Sequence, residues 1–513
     1  MIWSEQMGNA YFLVVIGILL AKGVGFYRDM AFAGVFGTGL EADIYFQVFG
    51  LVNLIFTGIG VALSTLIIKN LNKAENKGNE KQYAASFIRK SALWLMLAAL
   101  SVALASRPIL GIILPEISGE GLLLATKLMY IMAPSLVFVV IAYIISGILQ
   151  NERVYFVTAI MSLPFNAVII ASLFVPDVSV LTVGIVTTVG WFLHIAILLP
   201  SFYKKGYSVF KSSKGAEKRN LSGKNTEIIW IFISNMMFQL CFYTDRAFVS
   251  ANEGMASTFN YASNLFITIS SVFVVAMSTV IFPAISKNYE EGNIDYVNDL
   301  VGQIITIMSA IFLPFLLVAK LFGNDVIRLV YERGEFTSDS TLAVSAIFFI
   351  YALGILGYVS QELFNKILYL AGKYRYSVLG TVGVIALNII TNLIIKRFVP
   401  ASPVHGTCLT ADTLAISVST SFYLFLYAVL IAVGIKTVVG PYWKKELMGD
   451  LLKIAVSGVF AFIVYFIFDK ALPGFTHGYI SFTIPLMCCG AVYIVSLAFS
   501  GVLKKLIRRE RKG

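Results

Sequence analysis

Three ionisable residues interrupt the first apolar run of this chain: Lys22, Arg28 and Asp29, within the stretch AKGVGFYRD at 21–29. A charge at the centre of a membrane-spanning helix costs about 2.5–3.5 kcal/mol on insertion scales, so residues of this kind point to binding or to ion movement. Lys22 and Asp29 are seven apart and share a helix face, whereas Arg28 points about 100° away. A basic pair of this composition suits an anion, because a guanidinium meets phosphate oxygens as a bidentate fork and an ammonium acts as a compact point charge. Asp29 would hold one cation in place until the anion arrives, or serve as a purely structural partner. The plainer alternative is an interfacial turn from which Lys22 and Arg28 snorkel. Lys127, in the fourth apolar run, is either a further cavity cation or a snorkelling lysine.

A second group is Asp245 with Asn388 and Asn392. The asparagines are one turn apart on one helix face. Asp245 lies roughly 27 Å up its run, and the asparagines roughly 20–27 Å up theirs. A carboxylate and two amide carbonyls at one depth suit a hard monovalent cation such as sodium, with Thr410 and Thr413 completing the shell. Interhelical hydrogen bonding is the competing reading. Glu362 and Lys366, four apart, read as a structural ion pair. The segment VYERGEFTSDS (330–340) reads as a non-spanning outer loop whose Arg333 and Glu335 are solvated.

The elements that carry these residues are membrane spans. The chain has 513 residues, 58% hydrophobic and 13% charged, with a mean hydropathy of +0.83; soluble chains carry about 25% charge. Runs of about 20 apolar residues occur near 8–34, 44–68, 86–106, 122–149, 154–175, 179–202 and 225–249. They recur near 257–284, 299–320, 341–367, 375–397, 409–434, 450–470 and 479–503. The expected fold is therefore an all-α polytopic membrane protein of about fourteen transmembrane helices.

The net charge of +11 gathers in 69–90, 203–224 and the tail KKLIRRERKG. This is the bias that places both termini in the cytoplasm and, with anionic lipid as a secondary partner, removes the case for nucleic acid. The sequence contains no phosphate-binding G-x-x-x-x-G-K-[ST] loop and no metal-spaced His/Cys set, and its three histidines (His194, His405, His477) form no plausible catalytic set. The expectation is a transporter, not an enzyme, with no cofactor beyond a sodium coupling ion. The four cysteines (Cys241, Cys408, Cys488, Cys489) read as core filler in apolar runs.

The chain also repeats itself. ALSTLIIKNLNKAENKGN (62–79) resembles AMSTVIFPAISKNYEEGN (276–293), Asp29-Met-Ala-Phe resembles Asp245-Arg-Ala-Phe, and the Arg153–Asn166 pair recurs as Arg375–Asn388. Three matches in the same order predict two parallel six-helix lobes, 1–210 and 211–435, with two extra helices and a basic tail in 436–513. Alternating access about a cavity between the lobes would follow from that duplication.

GVGFYRDMAFAGVFGTGLEADIYF, the paired ST-containing helix ends, GILQNERVYF and above all VYERGEFT resemble the MurJ/MviN lipid II flippases, within the multidrug/oligosaccharidyl-lipid/polysaccharide exporter superfamily. The resemblance runs from about residue 12 to 435. It implies fourteen spans, a cationic central cavity for the headgroup and diphosphate, and a groove on the last two helices for an undecaprenyl tail. Arg28 and Asp29 match the family's R-D, Lys22 stands for its usual arginine, and Asp43 matches the acidic residue opening the second span. Asp245, Asn388 and Asn392 fall where sodium ligands are assigned, with Asn392 replacing an aspartate. FGLVNLIFT (49–57) departs from the pattern, with Gly50, Phe56 and Thr57 in place of cations, and Asn264 replaces an arginine. The implied activity is transfer of an undecaprenyl-diphosphate-linked sugar, lipid II first, from the cytoplasmic to the outer leaflet of the bacterial plasma membrane, driven by the membrane potential or a cation gradient. Its partners would be the lipid-linked substrate, membrane lipids and envelope-synthesis enzymes. Alternatives are a surface-polysaccharide or teichoic-type precursor as cargo, a cation-coupled drug exporter, and a non-transporting scaffold for envelope synthesis.

Overall fold

The computed structural model describes residues 2–75, 80–114, 117–209, 233, 239–471 and 480–504. Helices dominate them. Where apolar runs meet no solvent-facing side, every backbone N–H and C=O must be satisfied inside its own segment, and the helix does this. Most of the expected span 225–249 lies outside the described residues.

Contacts divide the chain into two units, one of 1–264 with 333–337 and one of 265–332 with 338–513. The first unit contains α1 (Ile2–Phe36), α2 (Leu40–Glu75), α3 (Glu80–Leu104), α4 (Ser106–Ile113), α5 (Gly119–Met132), α6 (Ser135–Asn151), α7 (Tyr155–Ala159), α8 (Leu163–Leu173) and α9 (Val180–Lys204). It also holds the helical stretch 239–248, here α10, and the first turns of α11 (Met255–Glu290). The helix α2 packs along α6. Its approach is close because a Cβ on Gly147 would overlap Ser64 Oγ, and one on Gly60 would stand 2.8 Å from the Tyr143 ring. Small residues at crossings are how helices associate where lipid leaves no hydrophobic driving force.

The second unit contains the rest of α11, then α12 (Ile294–Leu321), α13 (Gly323–Tyr331), α14 (Ser338–Leu353), α15 (Ile355–Leu370), α16 (Tyr374–Phe398), α17 (Ala411–Val439), α18 (Lys445–Ala471) and α19 (Ile480–Phe499). The helix α15 presses on α17 so closely that a Cβ on Gly357 would fall onto the Leu424 carbonyl oxygen. The last two helices attach to α12 through a cluster of Ile454, Ala461, Tyr493 and Leu497 against Leu313 and Leu317, with Tyr493 Oη donating to Ala310 O at 2.8 Å. A two-residue hairpin, β1 (Pro403–Val404) with β2 (Leu409–Thr410), links α16 to α17.

Eight described helices are long and apolar enough to cross a membrane, and two bent pairs, α5–α6 at 42° and α14–α15 at 48°, raise the number to ten among the described residues. The bends follow from chemistry. Pro134 at the first break has no N–H to continue the ladder, and Gly354 marks the second. The protein is thus an all-α multi-pass membrane protein.

One sequence expectation needs correction. Cys408 is not core filler: it lies exposed in the β-hairpin turn with φ 53°, whereas Cys241 and Cys489 are buried. His405, Gly406 and Thr407 just before it already mark a break in the apolar pattern.

Candidate functional site

In the first unit, Arg28 folds back onto its neighbour. Its Nε and Nη2 both donate to Asp29 Oδ1, at 3.0 and 2.6 Å, and Nη1 donates to Asn166 Oδ1 at 3.1 Å. The faces of Phe49 and Phe165 flank the guanidinium, with ring centroids 5.6 and 5.7 Å from Cζ. Asp29 Oδ2 accepts from Asn264 Nδ2 at 3.3 Å, and Asn166 Nδ2 donates onward to Ser162 O. An arginine of which 16% is exposed is therefore aimed by a carboxylate, an amide and two rings from α1, α2 and α8. Cation–π contacts contribute from about 0.5–1 kcal/mol when exposed to about 2 kcal/mol when desolvated. A charge so held keeps its orientation without an anion, and a phosphate oxygen can compete for the guanidinium edge that Asp29 occupies.

The other residues singled out in the first unit divide. Lys22 is half-buried six positions before Arg28, and Lys127 is exposed on α5. Asp43 is buried and does structural work: its Oδ2 accepts the Gly254 N–H and its Oδ1 the Ser257 N–H, both at 2.6 Å. A carboxylate there satisfies donors left open at the start of α11 and sits favourably at the positive end of that helix. Asp245 is fully buried on α10.

In the second unit, Asn388 and Asn392 are both fully buried on α16. Asn388 Nδ2 donates to Ser419 Oγ at 3.2 Å and to Thr420 Oγ1 at 3.1 Å. The Thr410 and Thr413 hydroxyls pair with each other at 2.7 Å. Asp412, beside Thr413, is 4% exposed and lies 3.4 Å from Lys396, a charge pair that sequence reasoning did not single out. Lys366 donates to Ser278 Oγ at 2.8 Å. An apolar groove is lined by Pro314, Leu317 and Phe322 of the α12 end, Ala461 of α18, and Leu486 and Tyr493 of α19.

Sequence reasoning missed Asn166, Phe49 and Phe165 as partners of Arg28. A signal for Asn166 existed, because it occupies the repeat position matched by Asn388.

The segment read as a solvated outer loop is partly docked. Arg333 and Glu335 do expose their side chains, yet the Glu335 N–H donates to Gly34 O at 3.0 Å. Phe336 is 1% exposed and meets Tyr261 edge-on at 5.5 Å.

Bent spans, helices crossing on small residues and charged side chains within them are the features of a polytopic membrane transporter. Solved structures share this architecture. A lipid II flippase MurJ in an inward closed conformation matches with TM-score 0.77 at 21% identity, covering 97% of this chain and all of the other. An inward-facing multidrug resistance MATE family transporter of the MOP superfamily matches with TM-score 0.62 at 13% identity, over 83% and 98% of the two chains. The family model described as lipid II flippase MurJ matches residues 32–485, and the chain belongs to that family. Probable lipid II flippases MurJ of Borreliella burgdorferi and of Buchnera aphidicola subsp. Schizaphis graminum are 23% and 22% identical, over 98% and 96% of both chains respectively.

Proposed function

We propose that this chain is a flippase that moves an undecaprenyl-diphosphate-linked sugar precursor, lipid II of peptidoglycan, from the cytoplasmic to the outer leaflet by alternating access. The observation that carries the reading is the Arg28 cluster: a mostly buried but still partly exposed guanidinium on a membrane helix, aimed by Asp29 and Asn166 between two rings. Such a group binds an anion, and Lys22 would add a second charge to it. The apolar groove of α12, α18 and α19 supports a lipid-linked cargo, since it offers a long tail a surface made of side chains. Names of the relatives point to the same cargo.

The drive in this reading is the membrane potential or a cation gradient, with sodium as the ion and Asp245 as its carboxylate. Both termini lie in the cytoplasm of a bacterial cell whose plasma membrane holds the protein, and envelope-synthesis enzymes are its proposed partners. Complementation of cells depleted of their lipid II flippase, read out by the leaflet accessibility of lipid II, tests the assignment. Rescue is expected; failure by a well-expressed protein sinks it. One observation favours a second cargo, a surface polysaccharide or teichoic-type precursor: Asn264, where the resemblance implies an arginine, gives Asp29 an amide in place of a cation. Failure with lipid II would leave that reading standing.

A further inference from the structure

Arg246 follows Asp245 on α10, and its position is set from several sides within the first unit. Gln47 Nε2 donates to its carbonyl at 2.6 Å. Its Nη1 donates to Asn260 Oδ1, and its Cζ lies 5.5 Å from the Tyr243 ring centroid. The guanidinium occupies the space beside Gly50: a Cβ there would stand 2.8 Å from Nη2 and 3.3 Å from Cζ. A side chain at 50 would push it aside.

The same two helices hold Arg28. On α2, Arg28 lies over Phe49 and Arg246 against Gly50, and consecutive helix residues point about 100° apart. On α11, Asn260 binds Arg246 and Asn264 binds Asp29, the partner of Arg28; these asparagines are one turn, about 6 Å, apart along the axis. Two guanidiniums are thus anchored to adjoining sectors of one helix and adjoining turns of another. Both side chains are only partly buried, as are Phe49, Gly50 and Asn264. Each guanidinium can meet a phosphate as a planar fork, which one fork alone cannot do for two phosphates at once.

We propose that Arg246 is a second anion-binding residue of this site, sharing with Arg28 the two phosphates of a diphosphate, and that Gly50 is the positioning residue that gives it room. The inference rests on the diphosphate-lipid reading above and names the group that would distinguish a diphosphate from a monophosphate. It makes Arg246 a specificity residue, whereas Arg28 serves any phosphate.

The test measures binding of undecaprenyl diphosphate and undecaprenyl monophosphate to the full chain in lipid nanodiscs. Loss of a charge-assisted bond of about 1.5–3 kcal/mol corresponds to roughly ten- to hundredfold in affinity. Arg246→Gln should weaken the diphosphate lipid by that factor and the monophosphate by less than about threefold, while Arg28→Gln weakens both. Gly50→Ala keeps every charge but displaces the guanidinium, and should also weaken the diphosphate selectively. If Arg246→Gln lowers the yield of folded protein, Arg246→Lys takes its place and should show the same selectivity at smaller size. Unchanged diphosphate affinity in the Arg246 variants, or equal loss for the two lipids, overturns the proposal with the flippase reading intact. A wild-type chain that binds neither lipid removes the flippase reading and this inference together.

Discussion

Asp43 holds the backbone of Ser257 at 2.6 Å across more than two hundred residues of chain, tying the start of α2 to the start of α11. A second bond of the same length runs from Gly254. Each such bond to a charged acceptor is worth about 1.5–3 kcal/mol. Asp43→Ala should therefore lower the melting temperature of the detergent-solubilised protein more than any exposed-site alanine, and Asp43→Asn, which keeps one oxygen acceptor, should fall between. Equal melting of all three proteins would show that the contact contributes nothing.

Arg28 and Lys22 separate transport from scaffolding. In cells depleted of their lipid II flippase, Arg28→Ala and Lys22→Ala should fail to complement at normal expression. Silent variants would favour a protein whose role is to hold envelope enzymes.

The proposed sodium coupling places its weight on one carboxylate, Asp245. The wild type should show a thermal shift with sodium and not with equal potassium, and Asp245→Asn should abolish it. A shift that survives the substitution excludes Asp245 as the ligand.

Cys408 offers a test of orientation. Because it is exposed in the β-hairpin turn, a membrane-impermeant maleimide should label it in intact cells if the hairpin faces outward, as the charge bias of the loops predicts. Cys241 and Cys489, both buried, should stay unlabelled. Labelling only after permeabilisation would invert the topology.

Gly357→Ala probes the α15–α17 crossing. The added methyl would collide with the Leu424 carbonyl, and overpacking of that kind costs about 1–3 kcal/mol. The variant should unfold earlier in a thermal melt; an unchanged melt would mean the crossing has slack.

Much of the architecture was legible because a spanning helix announces itself by length and apolarity alone. Arg28 and Asp29 stood out for the same reason, being charges where lipid tolerates few. What the sequence hid was which faces meet. A helix apolar on all sides carries no stripe to show its packing side, so the rings of Phe49 and Phe165 gave no sign that they flank Arg28. Gly50 read as a lost cation, while the structure fills its space with Arg246. The hairpin around Cys408 escaped notice because two-residue strands leave almost no periodicity to read.

The docking of residues 333–337 on the end of α1 also bears on how the protein is made. The first unit closes only when a segment some seventy residues beyond Asn264 reaches it. Synthesis at about 5–20 residues per second puts roughly 4–14 seconds between the two. During that interval the Gly34 carbonyl lacks its Glu335 partner and Tyr261 lacks the Phe336 ring. The nascent first half must therefore wait, inserted but unfinished, for a strap encoded in the second.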